Sequence, residues 1–130
     1  MAFDSLDFIY HPSPDVKRDL TFFTDVLGGR LRFAVEGMGT RVAAIELAPG
    51  SPLFLLADHV EGDAPILVYR VKNLARSMNA LEQRGWNRRD SFEIPHGPIC
   101  SFRAPGRQRI AIYQLTRPEA ASHFDGRRDF

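Results

Sequence analysis

The first half of this chain is written again in its second half, and that restricts the possible folds more than any other feature. Sliding the sequence along itself by 58 positions lays Phe8 on Ile66, Asp15 on Asn73, Val16 on Leu74, Arg18 on Arg76, Leu20 on Met78 and Phe23 on Leu81. A turn tripeptide also returns: Ala48-Pro49-Gly50 reappears as Ala104-Pro105-Gly106, at a shift of 56. Self-similarity on this scale marks one supersecondary unit used twice. The competing reading is one irregular α+β domain whose helices share capping habits, and it must treat each match as a separate event.

Each half reads as the same succession of elements. Residues 6–12 alternate as a strand closed by Pro12 and Pro14. Asp15 supplies a helix N-cap, and Val16, Leu20, Phe23 and Leu27 form one apolar helical face that stops at Gly28-Gly29. Strand-like runs follow at 30–35, 41–47 and 52–57, divided by Gly37-Met38-Gly39 and by the first Ala-Pro-Gly turn. The second half opens with a strand at 66–71, a cap at Asn73, an apolar face of Leu74, Met78 and Leu81, and a stop at Gly85. It closes with a strand, turn and strand over 102–114.

The expected fold class is therefore α+β: two βαβββ modules in tandem, forming a cupped mixed β-sheet with helices outside. Module one takes residues 5–59, a linker 60–64, module two 65–116, and a C-terminal tail 117–130, in which the locally basic Gly126-Arg127-Arg128-Asp129 reads as a solvated terminus. A four-stranded sheet with one helix has one uncovered face, which a second module or a ligand must cover.

Composition removes several classes of function. Seventeen basic against 16 acidic residues leave a net charge of +1, with no basic surplus for nucleic acid or an anionic membrane. No run approaches the roughly 20 apolar residues of a membrane span. The opening MAFDSLDF lacks the basic and apolar regions of a secretory signal. Cys100 is the sole cysteine, so no internal disulfide forms and a reducing compartment fits. The expectations are a cytoplasmic location and neither a nucleic-acid nor a membrane partner. Gly37-Met38-Gly39 lacks the lysine and helix of a phosphate cradle.

The run LDFIYHPSPDVKRDLTFFTDVLGG resembles the opening of the vicinal oxygen chelate superfamily, which includes glyoxalase I, extradiol dioxygenases and bleomycin-resistance proteins. The matching features are Leu6 and Ile9 on the strand, Asp15, and Leu20-x-Phe22-Phe23-x-Asp25-Val26-Leu27-Gly28. In the second half they are Val71-Lys72-Asn73-Leu74, Leu81-x-x-x-Gly85 and the closing FRAPGRQRIAIYQ. The resemblance implies a divalent metal on the concave face, held by a His on the first strand and a Glu on the last strand of each module. Those positions fall here on Phe8, Leu55 (Phe54 in the alternative register), Ile66 and Ala111. None carries a donor electron pair, so the expectation is a member without the usual metal ligands, with no metal and no cofactor.

With Phe8 facing the cleft, strand alternation places Tyr10, Leu53, Leu55, Ile66, Val68, Arg70, Arg109, Ala111 and Tyr113 there too. The expected ligand-binding set is Phe8, Tyr10, Leu55, Ile66, Val68, Arg70, His96, Ala111 and Tyr113, a lining suited to an apolar or aromatic organic molecule. Arg70 has two readings: a partner for a ligand carboxylate or enolate, or one half of an ion pair with an internal acid such as Glu46 or Glu93. His96, between Pro95 and Gly97, is a ligand contact or general base, or an exposed loop residue. His11 reads as helix-facing, His59 as a solvated turn residue, Cys100 as a buried small hydrophobe, and Trp86 as a plug between helix and sheet.

Three functions compete. The first is a glyoxalase/bleomycin-resistance-like protein that binds a small apolar or aromatic molecule in the cleft without metal. The second is a lyase, isomerase or dioxygenase of the superfamily, using His96 and Arg70 as acid–base residues or a metal site in another register. The third is a non-binding structural or regulatory module whose cleft is filled by its own side chains. The resemblance also implies a homodimer.

Overall fold

The computed structural model describes residues 1–50 and 52–130. Its two main helices begin where short polar side chains replace missing backbone partners. Asp15 accepts from the Arg18 amide at 3.1 Å and starts α1 (Val16–Thr21), and Asn73 accepts from the Arg76 amide at 3.0 Å and starts α2 (Leu74–Gln83). Around them run β1 (Ser5–Pro12), β2 (Arg30–Gly37), β3 (Thr40–Glu46) and β4 (Leu53–Ala57). The second half supplies β5 (Ile66–Val71), β6 (Phe92–Ile94), β7 (Gly97–Arg103) and β8 (Arg109–Gln114).

The eight strands form one mixed sheet in the order β2-β3-β4-β1-β5-β8-β7-β6, curled into a half-barrel. Each half follows the same rule, with its first strand parallel to its last and the other two stepping outward. An antiparallel β1–β5 pairing joins the halves, with Tyr10 opposite Ile66 and Phe8 opposite Val68.

Period-two alternation divides the sheet between two faces. On the outer face, α1 covers Ala34, Ala43, Ile45 and Leu56 with Val16 and Leu20. Likewise α2 covers Val71, Cys100 and Ile112 with Leu74 and Met78, and Trp86 packs edge-on to Phe102 there, 5.3 Å between centroids. The inner face carries a third cluster, in which Val68, Ile99, Ala111 and Tyr113 are buried beneath Phe8, Tyr10, Ile66, Ile94 and Leu115.

One expectation fails. Leu27 does not continue the first helix's buried face; it is 51% exposed. After Thr21 the helix widens into a π-turn over Phe22–Val26, where the Leu27 amide bonds back five residues to the Phe22 carbonyl. The extra residue rotates the side chains beyond it off the core stripe.

The tail keeps residues 126–129 exposed, yet it is bonded to the sheet. A short helix α3 (Ala120–Phe124) sets Phe124 against Phe33, 5.4 Å between ring centroids. The last residues then run beside β2: Ala34 donates to the Arg127 carbonyl at 2.9 Å, and the Asp129 amide donates to the Ala34 carbonyl at 2.6 Å. The Arg32–Asp125 ion pair at 3.0 Å and the stacking of Arg41 on the Phe130 ring secure the segment. Pairing partners from the opposite end of the chain, rather than local pattern, define this element.

Candidate functional site

The inner face is built around a β-bulge. Leu6 pairs with Tyr69 and Phe8 with the next residue, Val68, so Asp7 is the extra residue between them. Strict alternation from Phe8 would send Asp7 toward the helices. The bulge re-aims it, and its carboxylate joins Ser5, Arg70 and Tyr113 instead. Ser5 donates to Asp7 Oδ1 at 2.6 Å, Arg70 Nε lies 3.2 Å from Asp7 Oδ2, and the Tyr113 hydroxyl donates to that same oxygen from across β5. Arg70 Nη2 also donates to Ser5 Oγ at 3.4 Å.

Strand register explains the convergence, since Arg70 sits opposite Ser5 on one side and Tyr113 on the other. The Arg70 partner is thus neither Glu46, which pairs with Arg32 and Arg30, nor Glu93, which pairs with Arg117 at 2.8 Å. Asp7 was not among the residues expected here. The one sequence signal was an acidic residue inside an otherwise apolar strand. Burial, then the Asp7 hydrogen bond and charge, push the Tyr113 phenol far above its usual range, so it stays a neutral donor at all ordinary pH.

His96 lies in the turn between β6 and β7 and leans over the same face. Its ring is 5.5 Å from Phe8 and 6.4 Å from Tyr113 between centroids. The backbone holds it there: the Thr116 and Arg117 amides both donate to the His96 carbonyl at 3.0 Å, and Arg117 reaches the Pro95 and Ile94 carbonyls at 2.8 and 2.6 Å. Gly97 is next, at φ +150°, where an added Cβ would meet the Gln114 carbonyl oxygen at 2.1 Å. Only glycine lets β7 approach β8 so closely. Burial lowers the His96 pKa, with the Arg117 charge adding and Asp7 opposing, so the imidazole is neutral near pH 7.

The remaining residues divide clearly. Phe8, Tyr10 and Ile66 keep part of their surface accessible, whereas Leu55, Val68 and Ala111 are buried beneath them. Burial raises the Tyr10 pKa. Leu55 faces this side between Ala44 and Tyr10, and Phe54 belongs to the α1-side core. Arg109 turns to the linker, donating to the Glu61 and Ala64 carbonyls at 2.6 and 3.0 Å. His11 stacks on Phe54 at 5.9 Å on the outer face, and His59 is exposed, edge-on to Tyr10 at 6.3 Å. Cys100 is buried, and burial raises its thiol pKa, which removes it as a nucleophile.

Phe8, Ile66 and Ala111 thus share the inner apolar cluster, and Leu55 is buried on β4 opposite Tyr10. A benzyl ring, two branched alkyl groups and a methyl cannot hold a transition metal. Among the described residues, no three His, Cys, Asp or Glu side chains group closely enough to share an ion.

A cavity of about 330 Å³ opens at one end of this face, lined by Asp4, Ser5, Arg70, Val71, Lys72 and Leu115. The site can thus offer a carboxylate-braced guanidinium beside aromatic rings, with a neutral imidazole above them. No helix among the described residues is long and apolar enough to cross a membrane.

No protein-family model matches the chain, and no curated protein matches it by sequence. Solved structures do match it along nearly its whole length. Methylmalonyl-CoA epimerase from Mycobacterium tuberculosis is 17% identical, with a TM-score of 0.72 over 92% of this chain and 93% of that one. A glyoxalase/bleomycin resistance protein/dioxygenase superfamily member from Vibrio splendidus is 13% identical, with a TM-score of 0.60 over 85% and 98%. A glyoxalase I mutant from Zea mays is 17% identical, with a TM-score of 0.62; the match spans 88% of this chain and 44% of that one. The duplicated βαβββ order, the curled eight-stranded sheet and these likenesses agree: this chain has the vicinal oxygen chelate fold.

Proposed function

We propose that this protein binds a small organic molecule on the inner face of its sheet without the help of a metal ion. One observation carries the reading. Where the fold's metal enzymes place ligands, this chain sets an apolar floor, and above that floor Phe8, Tyr10 and His96 keep accessible aromatic surface. Apolar area removed from water there stabilises a complex by about 25 cal/mol per Å². Flat rings against Phe8 and His96 add the preference of offset or tilted aromatic contacts.

Phe8, Tyr10, Leu55, Ile66, Val68, Arg70, His96, Ala111 and Tyr113 form the binding set, with the buried members shaping the floor and Phe8, Tyr10 and His96 touching the guest. The matching solved structures are compatible with this. One of them, a Streptomyces coelicolor methylmalonyl-CoA epimerase variant, was solved in complex with 2-nitronate-propionyl-CoA. A homodimer belongs to the same proposal, paired through β6, because the other margin of the sheet is taken by the tail.

The test is a ¹⁵N–¹H correlation titration with a panel of neutral aromatic and alicyclic compounds. Saturable shifts of the Phe8, Tyr10, Ala111 and His96 amides, lost in Phe8→Ala, are expected. Shifts confined to the outer helices, or none with any compound, would overturn the reading.

A further inference from the structure

We propose that the cavity beside Arg70 is a subsite for the carboxylate of a small organic monoacid, so that the ligand of the inner face is an acid anchored at its rim; this rests on the reading of that face as a binding surface.

Arg70 is built as a receptor group. Its Nε meets Asp7 at 3.2 Å and one Nη2 proton points to Ser5 at 3.4 Å, which fixes the plane of the guanidinium. A guanidinium has five N–H donors, so the others remain for a guest. The Arg70 side chain is 41% exposed, while the Asp7 carboxylate that braces it is 18% exposed. The brace is therefore sheltered and the fork open. A planar fork held in one orientation suits a carboxylate, which accepts two parallel hydrogen bonds.

The walls fix the charge of the guest. Arg70 and Lys72 bring two positive charges, and Asp4 on the wall with Asp7 behind it bring two negative ones. Asp4 and Lys72 both line the cavity and are exposed, and among the described residues neither is in a salt bridge. A balanced wall tolerates one added negative charge near Arg70. A phosphate dianion would bring a second one up against Asp4, with little left to oppose it.

Volume and continuity fix the rest. About 330 Å³ is near the lower end of ligand sites and admits a small acid. Leu115 lines the cavity and also packs against the buried inner cluster that holds Tyr113, so the acid's apolar body continues from the rim onto the aromatic face.

The experiment compares phenylacetate, phenylacetamide and phenyl phosphate as probes of the full chain by ¹⁵N–¹H correlation spectra at pH 7.5. Phenylacetate is expected to shift the Ser5, Arg70 and Lys72 amides saturably, with phenylacetamide at least tenfold weaker and phenyl phosphate no tighter than phenylacetate. Arg70→Met should abolish the preference for acid over amide, and Arg70→Lys should keep part of it while showing that the fold tolerates change there. Equal binding of acid and amide, tighter binding of the phosphate, or an acid preference that survives Arg70→Met would overturn the subsite. So would the absence of any saturable shift at Ser5 and Arg70. If phenylacetamide still shifts Phe8 and His96 in those cases, only the subsite fails; if it shifts neither, the inner-face reading fails as well.

Discussion

The hydroxyl of Tyr113 donates to the carboxylate of Asp7 across the full width of β5, joining residues 106 positions apart in the chain. Tyr113 is 2% exposed and the Asp7 side chain 18%, so the bond is partly sheltered from water. Tyr113→Phe should lower unfolding free energy by about 1.5–3 kcal/mol, the range for a hydrogen bond to a charged group. Asp7→Ala should cost more, because it leaves both the phenol and the Arg70 guanidinium without their acceptor. Urea unfolding of the two variants checks the order.

That phenol also sets an alkaline limit. Its pKa is raised from 10.0, so the folded chain holds the proton more tightly than the unfolded one. The stabilisation is complete below pH 10 and is lost as pH climbs from there toward the folded value. Stability measured between pH 9 and 11 should fall less steeply in Tyr113→Phe than in the native chain.

His96 has the opposite sign. Its pKa is lowered from 6.5 by burial, so the unfolded chain binds this proton more readily. Its contribution is full above pH 6.5 and is lost as pH falls through the lower folded value. The imidazole Cε1–H resonance should titrate below 6.5, and His96→Gln should flatten the pH dependence of stability between pH 5 and 7.

Gly97→Ala tests how the His96 turn is held. The new methyl would sit on the Gln114 carbonyl oxygen, a backbone atom that cannot swing aside. Strained backbone costs about 1–3 kcal/mol at a single residue, and forced separation of β7 from β8 adds to it. A lower melting temperature together with shifted His96 and Thr116 amides is expected.

The repeat, the caps and the succession of elements along the chain were legible because they rest on local chemistry. Asp15 and Asn73 bond to backbone three residues on, and Pro and Gly punctuate the strands wherever they stand. Asp7 was hidden because a bulge breaks the parity on which inside and outside are assigned, and nothing in Leu6-Asp7-Phe8 announces one. Leu27 was misplaced by the same kind of slip, one residue gained in a π-turn. The tail was unreadable for another reason: its structure comes from β2, and no periodicity within 117–130 encodes a partner at Ala34.

Deleting residues 126–130 should therefore do two things. It removes Phe130 from the α1-side core and from Arg41, which lowers stability. It also bares the Ala34 amide and carbonyl, and sedimentation should then show species larger than those of the intact chain.

A sheet grows by recruiting backbone at its margins. Here the margin at β2 is closed from within by the chain's own last residues, and the margin at β6 is three residues long. Two copies that met there would present only sealed sides to a third, and such lateral association would end at a pair instead of running on into a fibre.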